Sequence, residues 1–180
     1  MSVPAVPLPP PRAAGVPYTV CLVCLGNICR SPMAEVVLRA ELAAAGLDGA
    51  VTVDSAGTGD WHIGHPMDPR ARAELARRGF DGSAHQARQI GFGWLPERDL
   101  LLAMDRRNLA DLQRMAVRAT EPRARVRLFG EAGGLGPDQD IPDPYGGGAA
   151  DFATALELIQ AGARQIAAQL AALLAGHAPA

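Results

Sequence analysis

Residues 23–35 read Val-Cys-Leu-Gly-Asn-Ile-Cys-Arg-Ser-Pro-Met-Ala-Glu, and the fold is most readily predicted from this stretch. It follows the apolar, partly β-branched run 18–23, which is typical of a buried strand. Ser31 and Pro32 look like the N-cap and the first residue of a helix. A loop between a strand and a helix N-terminus offers unpaired N–H groups to an oxyanion. The stretch therefore predicts a strand, an anion-binding loop and a helix.

The residue types inside this loop suit phosphate chemistry. Gly26 and Asn27 tolerate the left-handed backbone angles that a tight curl requires. Arg30 offers a planar fork that matches two phosphate oxygens. Cys24 opens the loop where the helix dipole and Arg30 both favour a nucleophilic thiolate. The residues predicted to hold the phosphate group are Leu25, Gly26, Asn27, Ile28, Cys29, Arg30 and Ser31.

Outward from the loop, strands and helices alternate along the chain. Strands are predicted at 18–23, 50–54, 99–104 and 125–129, and helices at 31–45, 69–78, 106–115 and from about residue 150. A long loop is predicted over 130–150. This order predicts an α/β fold, a three-layer sandwich with a central four-stranded parallel sheet and helices on both faces. Residues 1–17 are predicted to be a Pro-rich flexible tail, and residues 18–180 a single catalytic domain.

Composition excludes several classes of protein. The chain has 180 residues, 48% of them hydrophobic, and a net charge of −2, which argues against a basic nucleic-acid-binding module. All 17 basic residues are Arg, so lysine Schiff-base and Walker-type chemistry are excluded. Arg30 is the one expected to need a bidentate fork, and the other arginines are expected mostly on the solvated surface. With no long apolar run and three clustered cysteines, we expect a cytoplasmic protein.

Several motifs together resemble the low-molecular-weight protein tyrosine phosphatases of the bacterial type. The segment 23–35 is similar to the signature of that family. Further matches occur, in family order and spacing, at 54–58 with Trp61, at 85–90, at Met104-Asp105 with Asn108, and at 143–145. The resemblance spans roughly residues 18–175 and implies a cysteine-dependent phosphoric monoester hydrolase without a cofactor.

The resemblance also implies catalytic roles. Cys24 would be the nucleophile that forms a cysteinyl-phosphate, and Arg30 would clamp the phosphate group. The residues alone leave Asp138, Asp140 and Asp143 nearly equal as general acid and base. The match to an Asp-Pro-Tyr acid loop selects Asp143.

Other residues receive supporting roles from the same resemblance. Asn27, Ser55 and His85 are expected to hold the loop through hydrogen bonds. Ser31 has two open roles, as a donor to the Cys24 thiolate or as a simple helix N-cap.

The substrate pocket is expected to have aromatic walls. The resemblance assigns Trp61 and Tyr145 to a slot that accepts the ring of phosphotyrosine. Many family members carry a second aromatic residue after that tyrosine, whereas this chain has Gly146-Gly147-Gly148, so a more open and mobile rim is expected. Cys29 is either a small apolar filler or a redox partner that captures oxidised Cys24 as a disulfide.

Three alternatives to a tyrosine phosphatase differ in what they require of the sequence. A non-catalytic phosphate-binding module would lack the nucleophile or the general acid, whereas Cys24 and Asp143 are present as candidates for both. The related protein-arginine phosphatases have Thr where this chain has Ile28, which argues against that activity. Thiol-dependent arsenate reductases need two further cysteines downstream, and none follows Cys29. His62 and His65 have the spacing of a metal pair but no third ligand in view, so no metal is expected. The expected partners are phosphotyrosine-containing proteins, with inorganic phosphate as product and no nucleic acid or membrane.

Overall fold

The core of the molecule is a parallel β-sheet with the strand order β2-β1-β3-β4. The computed structural model describes residues 7–121 and 125–176. The strands are β1 (Tyr18–Cys24), β2 (Val51–Gly57), β3 (Leu100–Ala103) and β4 (Val126–Leu128). Strand β1 pairs with both β2 and β3, so the predicted first strand lies at the centre of the sheet. The predicted four-stranded parallel sheet is confirmed.

Helices cover both faces of this sheet. They are α1 (Arg30–Ala44), α2 (Pro69–Arg77), a 3-10 helix (Phe92–Glu97), α3 (Arg106–Arg118), α4 (Phe129–Ala132) and α5 (Ala149–Ala175). The 3-10 helix and α4 lie in segments for which no helix was predicted. Both are too short to show a helical period, and the 3-10 helix carries Pro96, which usually indicates a loop. Within the described ranges, no helix is long and apolar enough to cross a membrane.

Side-chain alternation along the strands creates two separate cores. Leu22 and Cys24 point into the larger core with helices α1, α2 and α5, whereas Cys21 and Val23 point into the smaller one beside α3. Burial on both faces explains why β3 is a continuous apolar run without a polar position. The predicted three layers are therefore confirmed.

The sheet brings the functional segments to one edge. Because the strands are parallel, the loops after β1, β2 and β3 all leave at their carboxyl ends. Cys24 is paired with Gly57, and a Cβ atom on Gly57 would lie 2.6 Å from the Leu25 carbonyl oxygen. Glycine at this position therefore lets the anion loop pass directly over the end of β2.

The described part of the N-terminal segment is bound to the domain, which differs from the flexible tail predicted over residues 1–17. Leu8 is buried, and the Tyr18 hydroxyl donates a 2.9 Å hydrogen bond to the Pro9 carbonyl. Arg125 donates a 3.0 Å hydrogen bond to the Pro10 carbonyl. Residues 1–6 lie outside the described ranges.

Arg12 fastens this segment to the edge of the sheet opposite the anion loop. Its backbone N–H donates to Asp99 Oδ1 at 2.6 Å, and its guanidinium donates to the Leu95 carbonyl at 2.7 Å. The guanidinium also forms a 3.2 Å ion pair with Glu121 and a hydrogen bond to the Arg98 carbonyl. Composition alone does not predict this contact, because a Pro-rich run shows no periodicity that would indicate packing.

We expect the Arg12→Ala variant to unfold more easily than the wild type. The substitution removes the guanidinium hydrogen bonds and leaves the backbone contact to Asp99. Bonds to a partly exposed charged group should be worth about 1 kcal/mol in total. Urea denaturation followed by circular dichroism measures the difference. Arg164→Ala, an exposed arginine on α5, is the matched control, and equal stability of the two variants would contradict a bound N-terminal segment.

Candidate active site

The anion loop is held in a tight curl by Asn27. This residue is fully buried and has a φ of 54°, in the left-handed region that the sequence predicted for the loop. Its backbone N–H points back at Cys24, with 3.3 Å between nitrogen and sulfur. The curl thus places a backbone donor against the thiol, as a thiolate site requires.

Ser31 contacts the thiol and does not cap the helix. The Ser31 Oγ lies 3.0 Å from Cys24 Sγ and accepts a 2.9 Å hydrogen bond from Asn27 Nδ2. Helix α1 begins at Arg30, and the residue before it makes no side-chain cap bond, so the N-cap alternative for Ser31 is wrong. Because Ser31 Oγ already accepts from Asn27, its hydroxyl hydrogen is free to point at the sulfur. The Ala56 carbonyl oxygen, at 3.4 Å, is the other acceptor within reach of this hydroxyl group.

The predicted supporting residues do converge on Asn27. Its amide nitrogen also donates to Ser55 Oγ at 2.9 Å, and its carbonyl accepts from His85 Nε2 at 2.7 Å. Ser55 in turn donates to Glu35 Oε2 at 2.6 Å, and the Asn27 side-chain oxygen accepts from the Arg88 backbone N–H at 2.8 Å. Each polar group of the Asn27 side chain is therefore used.

Glu35 and Arg88 are members of this network that sequence reasoning missed. Glu35 lies on α1, five residues after Arg30, the first residue of that helix. In the structure its carboxylate fixes Ser55 as a donor, so that the Ser55 oxygen faces Asn27. Arg88 acts partly through its backbone, which carries no signal in the sequence.

Burial keeps His85 neutral in this network. Desolvation lowers the pKa of its imidazole, and nearby Arg88 acts in the same direction. The hydrogen bond to Asn27 and the charge of Glu35 oppose that shift but do not cancel it. The neutral ring must carry its hydrogen on Nε2 to donate to the Asn27 carbonyl, which agrees with a structural role.

Arg30 is buried between two carboxylates. One guanidinium nitrogen donates to Asp105 Oδ2 at 2.6 Å and to the Ile141 carbonyl at 3.1 Å, and the other donates to Asp143 Oδ2 at 3.1 Å. Burial alone would lower the pKa of Arg30, but the charges of Cys24, Asp105 and Asp143 raise it, so the guanidinium stays charged.

Asp105 is a further site residue that sequence reasoning did not assign. It ends the segment after β3 and caps α3 by accepting from the Asn108 N–H at 2.7 Å. The sequence signal for Asp105 is the Met-Asp-x-x-Asn motif. A role as the N-cap of α3 explains only one of its two carboxylate oxygens. The second oxygen holds Arg30, and this contact depends on the tertiary fold.

Only one of the three acidic candidates in the 130–150 segment reaches the site. Asp143 is 45% exposed at its side chain and lines the pocket beside Arg30. Asp140 instead accepts from Arg106 Nε at 3.2 Å and from the Arg106 backbone N–H at 2.9 Å. Asp138 has a φ of 59° and is not part of the pocket lining.

These groups surround a pocket of about 100 Å³. Its lining consists of Cys24, Leu25, Gly26, Ile28, Cys29, Arg30, Trp61, His62, Asp143 and Tyr145. Two of the predicted phosphate-binding residues, Asn27 and Ser31, lie behind this wall. The predicted aromatic residues stand at the mouth, where Trp61 is 66% and Tyr145 53% exposed.

Arg70 on α2 ties down the rim of the pocket. It donates to the Tyr145 carbonyl at 3.0 Å and to the Gly147 carbonyl at 3.1 Å, while Asp68 holds its guanidinium at 2.8 Å. Its guanidinium also lies 4.8 Å from the ring centre of Phe152. The Gly-rich segment after Tyr145 is thus anchored through its carbonyls, which differs from the open rim expected from the missing aromatic side chain.

The remaining cysteine and histidine candidates have separate environments. All three cysteines are free and buried, and burial raises the pKa of Cys29, with further contributions from Asp68 and Cys24. The rings of His62 and His65 lie 5.6 Å apart. Among the described residues, no three potential metal-ligating side chains lie together.

Comparison with known proteins gives a consistent result. The family model for low molecular weight phosphotyrosine protein phosphatase matches residues 19–174. The low molecular weight protein-tyrosine-phosphatase of Streptomyces coelicolor is 44% identical over 163 residues, which cover 89% of this chain and 98% of that protein. The crystal structure of Bacillus subtilis YfkJ superposes with a TM-score of 0.80 at 35% identity, covering 92% of this chain and 100% of YfkJ. The YwlE arginine phosphatase superposes with a TM-score of 0.75 at 27% identity, covering 85% and 95%.

We expect stability to depend on pH through His85. Because the folded protein lowers the pKa of this imidazole, the unfolded chain binds a proton first as the pH falls below about 6.5. The free energy of unfolding should therefore fall between about pH 7.5 and pH 5.5, and by less in a His85→Gln variant. Urea denaturation at the two pH values measures both slopes.

The matched control for this experiment is His65→Gln, an exposed histidine in the loop between β2 and α2. That variant should keep the wild-type pH dependence. Equal slopes for His85→Gln and the wild type would contradict a neutral, buried His85.

Proposed function

The chain belongs to the low molecular weight phosphotyrosine protein phosphatase family, and from this premise we propose how its residues hydrolyse phosphotyrosine. It is a protein-tyrosine phosphatase that uses a cysteine nucleophile. The observation that best supports the residue assignment is the position of Cys24. Its sulfur faces the pocket, lies 3.0 Å from the Ser31 hydroxyl, and shares the pocket with Arg30 and Asp143.

The first half of the reaction transfers the phosphoryl group to the enzyme. The Cys24 thiolate attacks phosphorus in line, and the bond from phosphorus to the tyrosyl oxygen breaks. The carboxylic acid form of Asp143 gives its proton to that oxygen, so a neutral tyrosine leaves. The Ser31 hydroxyl and the Asn27 N–H stabilise the thiolate before the attack.

The second half restores the enzyme. The Asp143 carboxylate accepts a proton from a water molecule, whose oxygen attacks phosphorus as the sulfur–phosphorus bond breaks. Inorganic phosphate leaves, and Cys24 returns to the thiolate. The exposure of Asp143 gives the water access to the carboxylate, and no metal or cofactor is needed at any step.

Arg30 exchanges partners as the substrate binds. Without substrate it is paired with Asp143, whereas two phosphate oxygens would take up the guanidinium fork in the complex. Asp105 and the Ile141 carbonyl keep the fork oriented throughout. The exchange releases Asp143 towards the leaving oxygen, so substrate binding itself frees the general acid.

Phosphotyrosine suits the pocket better than phosphoarginine does. Trp61 and Tyr145 flank the mouth with aromatic surface, which favours a flat phenyl ring. The bulky Ile28 lines the pocket wall, at the position where the related arginine phosphatases have the smaller Thr. Although YwlE shares the fold, side chains of this chain therefore favour tyrosine.

We further propose the cellular setting and the extent of the domain. Residues 18–180 form one catalytic domain that acts in the cytoplasm on phosphotyrosine-containing proteins, without nucleic acid or membrane. Three unpaired cysteines support a reducing compartment.

Cys29 is proposed as a redox partner: its thiol would displace hydroxide from a Cys24 sulfenic acid to give a disulfide and water. The raised pKa of Cys29 keeps this thiol protonated in the resting enzyme.

We expect Cys24→Ser to abolish turnover without unfolding the protein. Loss of the nucleophile should lower kcat for phosphotyrosine at least about a thousandfold. Inorganic phosphate should still bind, which calorimetry measures, because the loop amides and Arg30 remain. Cys21→Ala, which removes a buried thiol from the centre of β1, is the control and should retain activity. Substantial turnover by Cys24→Ser would refute the nucleophile.

Asp143→Asn should affect substrates according to their leaving group. Phenyl phosphate needs a proton on its leaving oxygen and should slow about a hundredfold, whereas p-nitrophenyl phosphate should slow far less. Steady-state kinetics on both esters measure the ratio. Asp140→Asn removes a nearby carboxylate and should leave the ratio unchanged. Equal losses on the two esters would rule against Asp143 as general acid.

A further inference from the structure

A second hollow adjoins the catalytic pocket on its Trp61 side. This groove has a volume of about 410 Å³. Its lining includes Leu25, Gly59, Trp61, Asp111, Arg114 and Arg118. None of the proposed catalytic residues is among them, so the hydrolysis derived above does not use this groove.

The two hollows share a wall. Leu25 and Trp61 line both of them. The indole packs directly against Gly59, where a Cβ atom would come within 1.8 Å of Trp61 Cζ3. A substrate chain whose phosphotyrosine fills the catalytic pocket can therefore continue across Leu25 and the indole directly into the groove.

The far wall of the groove carries an excess of positive charge. Arg114 and Arg118 project from α3 four residues apart, which places them on one side of that helix. Asp111 is the single carboxylate among the lining residues, and it pairs with Arg114. Arg118 has no carboxylate within ion-pair distance among the described residues, so its charge is available to a ligand.

Arg118 is also held ready for such a ligand. Its guanidinium carbon lies 5.2 Å from the ring centre of Phe92, an exposed aromatic residue of the 3-10 helix. This stacking restricts the long side chain and leaves the edge of its fork free. A planar fork of this kind binds a carboxylate or a phosphate group through two parallel hydrogen bonds.

We propose that this groove is a second anion site, which selects phosphotyrosine segments carrying another acidic group a few residues away. The inference rests on the proposed function, because the phosphotyrosine itself must occupy the catalytic pocket. The occupant is an anion on the substrate chain, either a Glu or Asp carboxylate or a second phosphoryl group. Arg114 and Arg118 are specificity-determining residues that do not touch the reacting atoms.

The test compares four kinds of substrate. They are a phosphotyrosine peptide with neutral neighbours, peptides with Glu placed in turn at each of the positions flanking the phosphotyrosine, the same series with a second phosphotyrosine, and p-nitrophenyl phosphate. The wild type should prefer the best acidic peptide over the neutral one by up to about fivefold in kcat/KM, the upper end of what one exposed ion pair with Arg118 contributes. High salt should reduce this preference.

The variants are Arg114→Gln, Arg118→Gln and the double substitution. The double variant should reduce kcat/KM for the acidic peptides to the neutral level, while turnover of p-nitrophenyl phosphate stays within about twofold. Arg164→Gln on α5 makes the same charge change away from the groove and should behave as the wild type. Preference for Glu alone or for the second phosphotyrosine alone identifies the source of the anion, and either supports the proposal.

Three results would overturn the inference while leaving the proposed function intact. The first is equal kcat/KM of the wild type on acidic and neutral peptides. The second is a double variant that keeps the acidic preference, and the third is a double variant that loses p-nitrophenyl phosphate turnover to the same extent as turnover of the acidic peptides. Failure of the proposed function is separately visible, since Cys24→Ser would then retain hydrolysis of p-nitrophenyl phosphate.

Discussion

The left-handed backbone of Asn27, fixed by its own side chain, is the constraint on which the site depends. The amide group joins the anion loop to Ser31 on α1, to Ser55 on β2 and to the 85–88 segment. A fully buried amide left without any of these partners would carry the full cost of its desolvation, so the loop and its neighbours form as a unit. The direction of these bonds also leaves the hydroxyl hydrogen of Ser31 free to face the thiol.

Arg30 provides a second constraint, because its guanidinium pairs with two carboxylates that differ in how firmly they are held. Asp105 is held by α3 and is 20% exposed, while Asp143 belongs to an exposed segment and is 45% exposed, so in the proposed mechanism only Asp143 leaves Arg30. In that mechanism the contact with Asp105 positions Arg30 throughout, whereas the contact with Asp143 is temporary. Arg70 limits how far the segment can move, because it holds the carbonyls that follow Asp143.

The arginines of this lysine-free chain do more than the sequence suggested. They were expected mostly on a solvated surface, yet Arg12 fastens the N-terminal segment and Arg88 donates to the Ser55 carbonyl at 3.2 Å. Arg98 stacks on Trp94 and pairs with Asp54 at 2.6 Å. A guanidinium makes several bonds in a fixed plane, so it can link loops that have no regular structure. Composition counts such side chains but carries no information about their partners.

The sequence was sufficient to predict the main strands and helices, the parallel sheet and the chemistry of the loop around Cys24, because these follow from local periodicity and from residue types a few positions apart. It did not predict the short 3-10 helix or α4. It left Asp138, Asp140 and Asp143 equal until the family motif was considered, and it gave Ser31 two possible roles. In the structure Asp140 contacts Arg106, so only Asp143 of the three lines the pocket, and Ser31 accepts from Asn27 and contacts the Cys24 thiol. Asp105, Glu35 and Arg70 were found only in the structure. Their contacts join segments distant along the chain, and the sequence pattern around each residue is satisfied by an ordinary local role.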